Sequence, residues 1–142
     1  MQYAALPYRR GADHIEVLLV TSLGTKRWII PKGWPMDGRA PHEAEAREAL
    51  EEAGVVGEVA SEAIGSYRYE KRRKSGASVP CTVEVFPLLV GTQRKRWTEK
   101  GWREVKWFPA EEAAKTISDA ELGDIIREWS RERAPELAST KE

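Results

Sequence analysis

The pattern of apolar and polar positions along the chain predicts several strands separated by polar turns. The run from His14 to Thr21 is nearly continuous in apolar residues, and Arg27 to Ile30 is a shorter run of the same kind, so both resemble buried strands. Residues 2–8 form a candidate first strand, and Pro7 favours a sheet edge there because proline has no backbone N–H. Further strands are predicted at 55–60, 64–72, 80–90 with an interruption at Pro87, and 103–108.

Helical spacing and helix-end signals predict three helices. The first covers about 40–53 and ends at Gly54, since glycine is preferred directly after a helix. A short second helix begins at Pro109, and Ser118 or Asp119 caps the last helix. The apolar stripe of this last helix consists of Leu122, Ile125, Ile126 and Trp129. Strands and helices in this order favour an α+β fold, with helices on both faces of a mixed sheet.

The composition is typical of one globular domain. The chain has 142 residues, of which 41% are hydrophobic and 32% charged. We therefore expect a single domain over residues 1–142, with a disordered tail from about 134 to 142. Its oligomeric state is left open between a monomer and a homodimer.

Charge and cysteine content narrow the expected partners and location. Lys plus Arg and Asp plus Glu number 23 each, so the net charge gives no sign of nucleic-acid binding. Cys81 is the only cysteine, which excludes an intrachain disulfide and favours the cytoplasm. No apolar run is long enough to span a membrane, and no membrane partner is expected.

The stretch 31–55 concentrates the candidate chemistry on one helix. With Ala46 at zero and about 100° per residue, the apolar positions fall between about 300° and 40° and the acidic positions between about 140° and 240°. The apolar positions are Ala49, Leu50 and Ala53, and the acidic positions are Glu48, Glu51 and Glu52. Like charges four residues apart destabilise an isolated helix by about 0.2–0.5 kcal/mol, whereas Mg²⁺ or Mn²⁺ among the carboxylates would reverse this effect. An acidic helix face exposed to solvent is the simpler alternative.

The residues before this helix add a tight loop. Lys32-Gly33, Pro35 and Asp37-Gly38 predict sharp turns, and Pro41 suits the first turn of the helix. Exposed backbone groups of this loop would then lie beside the carboxylates. Such an arrangement favours a metal–phosphate site over a merely solvated helix face.

The spacing of these residues resembles the signature of the Nudix hydrolases. The matching positions are Gly33, Arg47-Glu48-Ala49, Glu51-Glu52 and Gly54-Val55. One position departs from the signature, because Arg39 stands where its first Glu belongs. The resemblance implies a Nudix-type αβα sandwich with a mixed β-sheet. It also implies hydrolysis of a nucleoside diphosphate linked to another group, or of a related diphosphate, with a divalent metal and water.

The resemblance also implies roles for individual residues. The implied metal ligands, for Mg²⁺ or Mn²⁺, are the carboxylates of Glu48, Glu51 and Glu52 and the backbone carbonyl of Lys32 or Gly33. Arg47 would hold the glutamate network in place. The general base would come from the helix or from a late loop, where Glu99 is preferred to Glu104. The expected catalytic residues are therefore Glu48, Glu51, Glu52 and Glu99, together with Arg47.

The substrate is expected to be a small polyphosphorylated molecule. The segment 27–33, the basic run 71–74 and Trp107-Phe108 resemble the diphosphoinositol polyphosphate phosphohydrolases, which also cleave diadenosine polyphosphates. The candidate substrate-binding cations are Arg27, Lys32, Arg39, Lys71, Arg72 and Arg73. Trp34 either stacks on a nucleobase or forms a wall of the loop. The basic run is otherwise a solvated hairpin turn.

Other functions remain open from the sequence. Hydrolysis of ADP-ribose, nucleoside triphosphates or an mRNA cap are the enzymatic alternatives. A catalytically weak binding module is the alternative from another class, because Arg39 replaces a motif carboxylate.

Overall fold

The computed structural model describes residues 1–72 and 75–140, without the side chains of 72 and 134–140. In the described residues the strands are β1 (Gln2–Arg10), β2 (Ile15–Thr21), β3 (Trp28–Ile29), β4 (Lys32–Gly33), β5 (Val55–Val59), β6 (Gly65–Arg72), β7 (Ser78–Gln93) and β8 (Val105–Pro109). The helices are α1 (Pro41–Ala53), α2 (Ala110–Thr116) and α3 (Ala120–Thr140). All of these strands belong to one mixed sheet.

Strand β1 lies in the middle of the sheet, and the edge position expected from Pro7 is wrong. On one side β1 pairs in parallel with β7 from Gln2 to Tyr8. On the other side it pairs with β4 through Tyr3 and Ala4, and with β2 from Tyr8 onward. Pro7 falls between these two partners. The missing N–H of Pro7 is tolerated because the pairing with β4 has ended there and the pairing with β2 has not yet begun.

Strand β7 is continuous, so the interruption predicted at Pro87 is also wrong. Along one side, β7 pairs with β6 as far as Val85 and with β5 from Leu88. Pro87 again lies where the neighbouring strand changes. Its carbonyl still accepts a hydrogen bond from the backbone N–H of Ala60, at 2.9 Å.

The sheet is covered on both faces, which confirms the predicted αβα sandwich. Helix α1 packs on one face, where Ala49 and Ala53 join a buried cluster with Leu18 and Leu88. Helices α2 and α3 pack on the other face over a larger cluster. The predicted stripe of α3 faces this larger cluster and consists of Leu122, Ile125, Ile126 and Trp129.

The observed ends of α1 agree with the local sequence signals, whereas α3 extends further than the sequence predicts. Helix α1 begins at Pro41 and ends before Gly54, which has the expected left-handed backbone with φ of 73°. The backbone of α3 is helical as far as Thr140, beyond Arg133 where the sequence predicts that order ends. Among the described residues, no helix has the length and apolar character needed to cross a membrane.

Candidate active site

Glu48 and Glu52 form a carboxyl pair on α1, four residues apart and in direct interaction. Glu52 is only 4% exposed and Glu48 is half-buried. Burial raises the pKa of Glu52 to about 8, and burial likewise raises the pKa of Glu48. Nearby carboxylates, Glu99 among them, raise both pKa values further, and the charge of Arg103 opposes them.

The placement of Glu52 corrects the prediction that it lies opposite the apolar face of α1. Glu52 is buried together with Ala49 and Ala53. The helix contacts β4 as well as β1 and β5, so its buried surface is wider than the apolar stripe. Glu48 and Glu52 face the β4 side of this surface, which explains why carboxylates lie where periodicity alone predicts solvent.

Two arginines hold the other carboxylates of the site. Arg47 Nε donates to Glu51 Oε1 at 3.0 Å, and Arg103 Nε donates to Glu99 Oε1 at 2.8 Å. Arg103 Nη2 also lies 3.6 Å from Glu52 Oε1, and its side chain is 11% exposed. The sequence interpretation missed Arg103, although its spacing of four residues from Glu99 was a usable local signal. The guanidinium of Arg103 connects the late loop to the carboxyl pair.

Glu99 is the late-loop carboxylate that reaches the site. Its charge acts on both Glu48 and Glu52, and its backbone N–H donates to the Glu51 carbonyl at 2.9 Å. Glu104, the second candidate base, has an exposed side chain, and its backbone N–H donates to Thr21 Oγ1. The structure therefore brings Glu99, rather than Glu104, to the carboxyl pair.

The donor chemistry of this cluster fits a hard divalent cation. Carboxylate oxygens are the preferred ligands of Mg²⁺ and Mn²⁺, and a cation bound to Glu48 and Glu52 would favour their ionised forms. Within residues 1–72 and 75–140, no three His, Cys, Asp or Glu side chains stand together in metal-binding geometry. Arg47 and Arg103 each hold one neighbouring carboxylate in an ion pair.

Gly33 makes room for the carboxyl group of Glu48. A Cβ atom added at Gly33 would lie 2.6 Å from Cδ and from Oε1 of Glu48. Gly33 is fixed by pairing with Tyr3 across β4 and β1. The roles of the Lys32 and Gly33 carbonyls as metal ligands stay predictions, but the close approach explains why glycine is needed here.

Gly33→Ala should therefore displace the carboxyl group of Glu48. Because the side chain of Glu48 can turn away, we expect little loss of stability but a loss of roughly 100-fold in kcat/KM, as for a catalytic group misplaced by about 1 Å. Gly91→Ala is the matched control, since its added Cβ would lie 3.7 Å from the nearest atom. Steady-state kinetics and urea unfolding of both variants measure the two effects. Equal kinetics for Gly33→Ala and Gly91→Ala would contradict this explanation.

Basic and aromatic side chains form a second flank of the site, here called the lysine flank and defined by Arg27, Lys32, Tyr69, Lys71 and Trp34. Lys32 Nζ lies 4.1 Å from the ring centroid of Tyr69, and Lys71 Nζ lies 4.5 Å from that of Trp34. Burial lowers the pKa of Lys32, and the charges of Arg27 and Lys71 act in the same direction. Three predicted substrate-binding cations thus lie near one another.

Of the remaining predicted cations, Arg39 is described and does not belong to this flank. Arg39 lies beside Arg47 on the outer side of α1. The side chain of Arg72, and Arg73 as a whole, lie outside the described residues. The expected phosphate-binding run 71–74 is therefore represented here by Lys71 alone.

Together, these features define a domain with an acidic centre suited to cations and a basic flank suited to anions. The NUDIX domain profile matches residues 3–129. The chain belongs to the Nudix family.

Individual relatives are similar over most of this chain. Nudix hydrolase 21, chloroplastic, of Arabidopsis thaliana is 34% identical over 126 residues, covering 85% of this chain and 61% of the relative. Diphosphoinositol polyphosphate phosphohydrolase 3-alpha of Mus musculus is 33% identical over 111 residues, covering 76% of this chain and 63% of the relative. The chain thus spans less than two thirds of either relative.

A solved structure shows the same fold. The binary complex of the C. elegans Ap4A hydrolase superposes with a TM-score of 0.68 at 25% identity, covering 94% of this chain and 97% of that one.

Proposed function

We propose that the protein hydrolyses a phosphoanhydride bond in a polyphosphorylated small molecule, with Mg²⁺ or Mn²⁺ as cofactor. The observation that carries this proposal is the carboxylate cluster of Glu48, Glu51, Glu52 and Glu99, which Arg47 and Arg103 hold together. The preferred substrates are a diphosphoinositol polyphosphate or a diadenosine polyphosphate. The names of the mouse relative and of the C. elegans structure support these two classes.

The residues of the chain divide the work between binding and positioning. Glu48 and Glu52 would hold the cation, with Glu51 as a further ligand if it leaves Arg47. A bound divalent cation would neutralise phosphate charge and lower the pKa of a bound water. Arg47 orients Glu51, as its 3.0 Å ion pair shows.

Glu99 is the proposed general base. Its carboxylate is held by Arg103 at 2.8 Å and is partly buried. A base must lie within reach of the proton that it accepts, and of the two late-loop candidates Glu99 is the one whose charge acts on the carboxyl pair. Arg103 in turn is a positioning residue, because it contacts both Glu99 and Glu52.

The lysine flank is the proposed phosphate-binding side. Lys32 and Lys71 each lie on the face of an aromatic ring, which orients their charged ends while leaving N–H donors for phosphate oxygens. Cations arranged in this way suit a ligand with several phosphates. Trp34 is 49% exposed, so one face of the flank is open to a base or ring.

A substrate panel tests the proposed function. The purified protein is incubated with diadenosine pentaphosphate, an inositol pyrophosphate, a nucleoside triphosphate and ADP-ribose, with Mg²⁺, with Mn²⁺ or with EDTA. We expect metal-dependent turnover with the highest kcat/KM on the first two substrates. Turnover that survives EDTA, or none on any substrate, would refute the proposal, and the second result would support a binding module.

Lys71→Gln should reduce kcat/KM for diadenosine pentaphosphate by up to about fivefold, because a partly exposed ion pair contributes about 1 kcal/mol at most. ADP-ribose has only two phosphates, so its kcat/KM should fall less. Lys115→Gln is the matched control, since Lys115 is exposed near the end of α2. Steady-state assays at low and high salt check this result, because added salt should weaken the wild-type preference in the same way. Equal losses on both substrates would leave the lysine flank without a role in substrate choice.

A further inference from the structure

A cavity of about 490 Å³ lies between the outer side of α1 and the loop that follows β7. We call it the arginine cavity, and it is defined by Arg39, Arg47, Arg94, Arg96 and Trp97. It lies apart from the lysine flank, since the two share none of their defining residues. Its volume is in the range of ordinary small-molecule sites.

The arginines of this cavity have unused binding capacity. Arg47 is paired with Glu51, but Arg39, Arg94 and Arg96 make no side-chain hydrogen bond or ion pair among the described residues. Glu43 and Glu51 are the acidic residues that line the cavity, so the lining has an excess of positive charge. Guanidinium groups can bind phosphate oxygens with two parallel hydrogen bonds, which favours a phosphorylated anion as the ligand.

The loop that carries Arg94, Arg96 and Trp97 is fixed against α1. The backbone N–H of Arg94 donates to the Gly54 carbonyl at 2.8 Å. The ring of Trp97 packs on Gly54 so closely that a Cβ there would lie 2.4 Å from Cε3 of the ring. Gly54, which ends α1, therefore also allows Trp97 in the wall of the cavity to pack closely on the helix. A wall held in this way presents its arginines in a defined place.

Glu51 connects this cavity with the carboxyl pair. Its side chain lines the cavity, and its charge acts on Glu48. An extended anion bound at the carboxyl pair would meet the arginines when it passes Glu51. Arg39, the residue that departs from the family signature, lines the same cavity, where a carboxylate would repel phosphate.

We propose that the arginine cavity binds the oligophosphate end of the substrate that is not attacked. This inference rests on the proposed function and extends it, because it selects substrates with a phosphate chain that continues beyond the cleaved bond. ADP-ribose, with two phosphates, would leave the cavity empty. The preference for long chains would then come from the arginine cavity as well as from the lysine flank.

Binding of inorganic tripolyphosphate in EDTA tests the site without hydrolysis. Calorimetric titration compares the wild type, the double variant Arg94→Gln/Arg96→Gln and the control Arg10→Gln, which changes an exposed arginine at the end of β1. Two lost contacts should weaken binding by about tenfold or more in the double variant. The control should bind as the wild type does. Equal affinity of the double variant and the wild type would overturn the proposal.

Kinetics identify whether the bound anion is part of the substrate. In the double variant, kcat/KM for diadenosine pentaphosphate should fall about tenfold more than kcat/KM for ADP-ribose. Equal losses, together with weakened tripolyphosphate binding, would show a separate anion site and overturn the link to substrate. If the wild type binds tripolyphosphate through these arginines but hydrolyses nothing, the proposed function fails while the oligophosphate site stands. Thermal unfolding of the double variant confirms that its fold is intact.

Discussion

Glu52→Gln should lower kcat/KM on the best substrate by more than about 100-fold, since even residues that only support metal ligands contribute about 10–100-fold. The substitution preserves the shape of the side chain and its contact with Glu48, but it removes a carboxylate that would bind the divalent cation. Glu52 is 4% exposed and its Oε1 lies 3.6 Å from Arg103 Nη2, so the change falls inside the buried cluster. Steady-state kinetics at saturating Mg²⁺ and Mn²⁺ measure the loss.

A matched variant separates this effect from a general change of charge. Glu104→Gln removes an exposed carboxylate from the same loop region and should leave kcat/KM within about twofold of wild type, as expected of a surface substitution. Glu99→Gln should lose about 10²–10⁴-fold, as is typical when a general base is removed. Full activity of Glu52→Gln would refute the proposed site. Greater loss in Glu104→Gln than in Glu99→Gln would reverse the choice of base.

Helix α1 could be predicted closely because its signals are local. Pro41 suits the first helical turn and Gly54 adopts the left-handed conformation that ends the helix, so predicted and observed bounds differ by one residue. The spacing of the glutamates needs only helical geometry to place them on neighbouring turns. The identity of the domain follows from the same short stretch.

The positions of the strands relative to one another could not be predicted in the same way. Pro7 and Pro87 both favour an edge or a break when each strand is considered alone. Each of them lies where the neighbouring strand changes, from β4 to β2 and from β6 to β5. Only the assembled sheet shows that the missing N–H groups leave no ladder incomplete.

The burial of side chains on α1 depends on what the helix packs against. Helical periodicity predicts solvent for Glu52, but contact with β4 buries it. Arg103 reaches Glu52 only because the late loop closes on α1 through the Glu99–Glu51 backbone hydrogen bond. Such long-range closures leave little trace in local sequence, which is why the arginine cavity also escaped prediction.

Glu45 is a buried carboxyl group that the sequence interpretation did not single out. It is fully buried on α1, and neither of its oxygens has a hydrogen-bond partner among the described residues. Burial, followed by the charges of Glu48 and Glu52, raises the pKa of Glu45 to about 10. The folded protein therefore keeps Glu45 protonated at neutral pH, whereas the unfolded chain ionises it near the ordinary value of 4.5.

This difference in pKa makes stability depend on pH. Between pH 4.5 and about 10 the folded state binds one proton more than the unfolded state at Glu45. At Glu45, the free energy of unfolding is therefore unaffected by pH below the unfolded pKa, and it decreases as pH rises from there toward the folded pKa. The decrease approaches about 1.4 kcal/mol for each pH unit.

Glu45→Met should stabilise the protein, and the gain should increase with pH. Methionine has a similar volume and needs no hydrogen bond, so it removes an unsatisfied buried polar group that costs about 1–3 kcal/mol. It also removes the proton linkage, and the gain in the free energy of unfolding should therefore be larger at pH 8 than at pH 5. Urea unfolding in EDTA at both pH values measures this difference. Glu43→Met, an exposed change on the same helix, is the control and should show no such dependence on pH. A loss of stability in Glu45→Met, or an equal gain at both pH values, would show that Glu45 is not held as an unpartnered neutral acid.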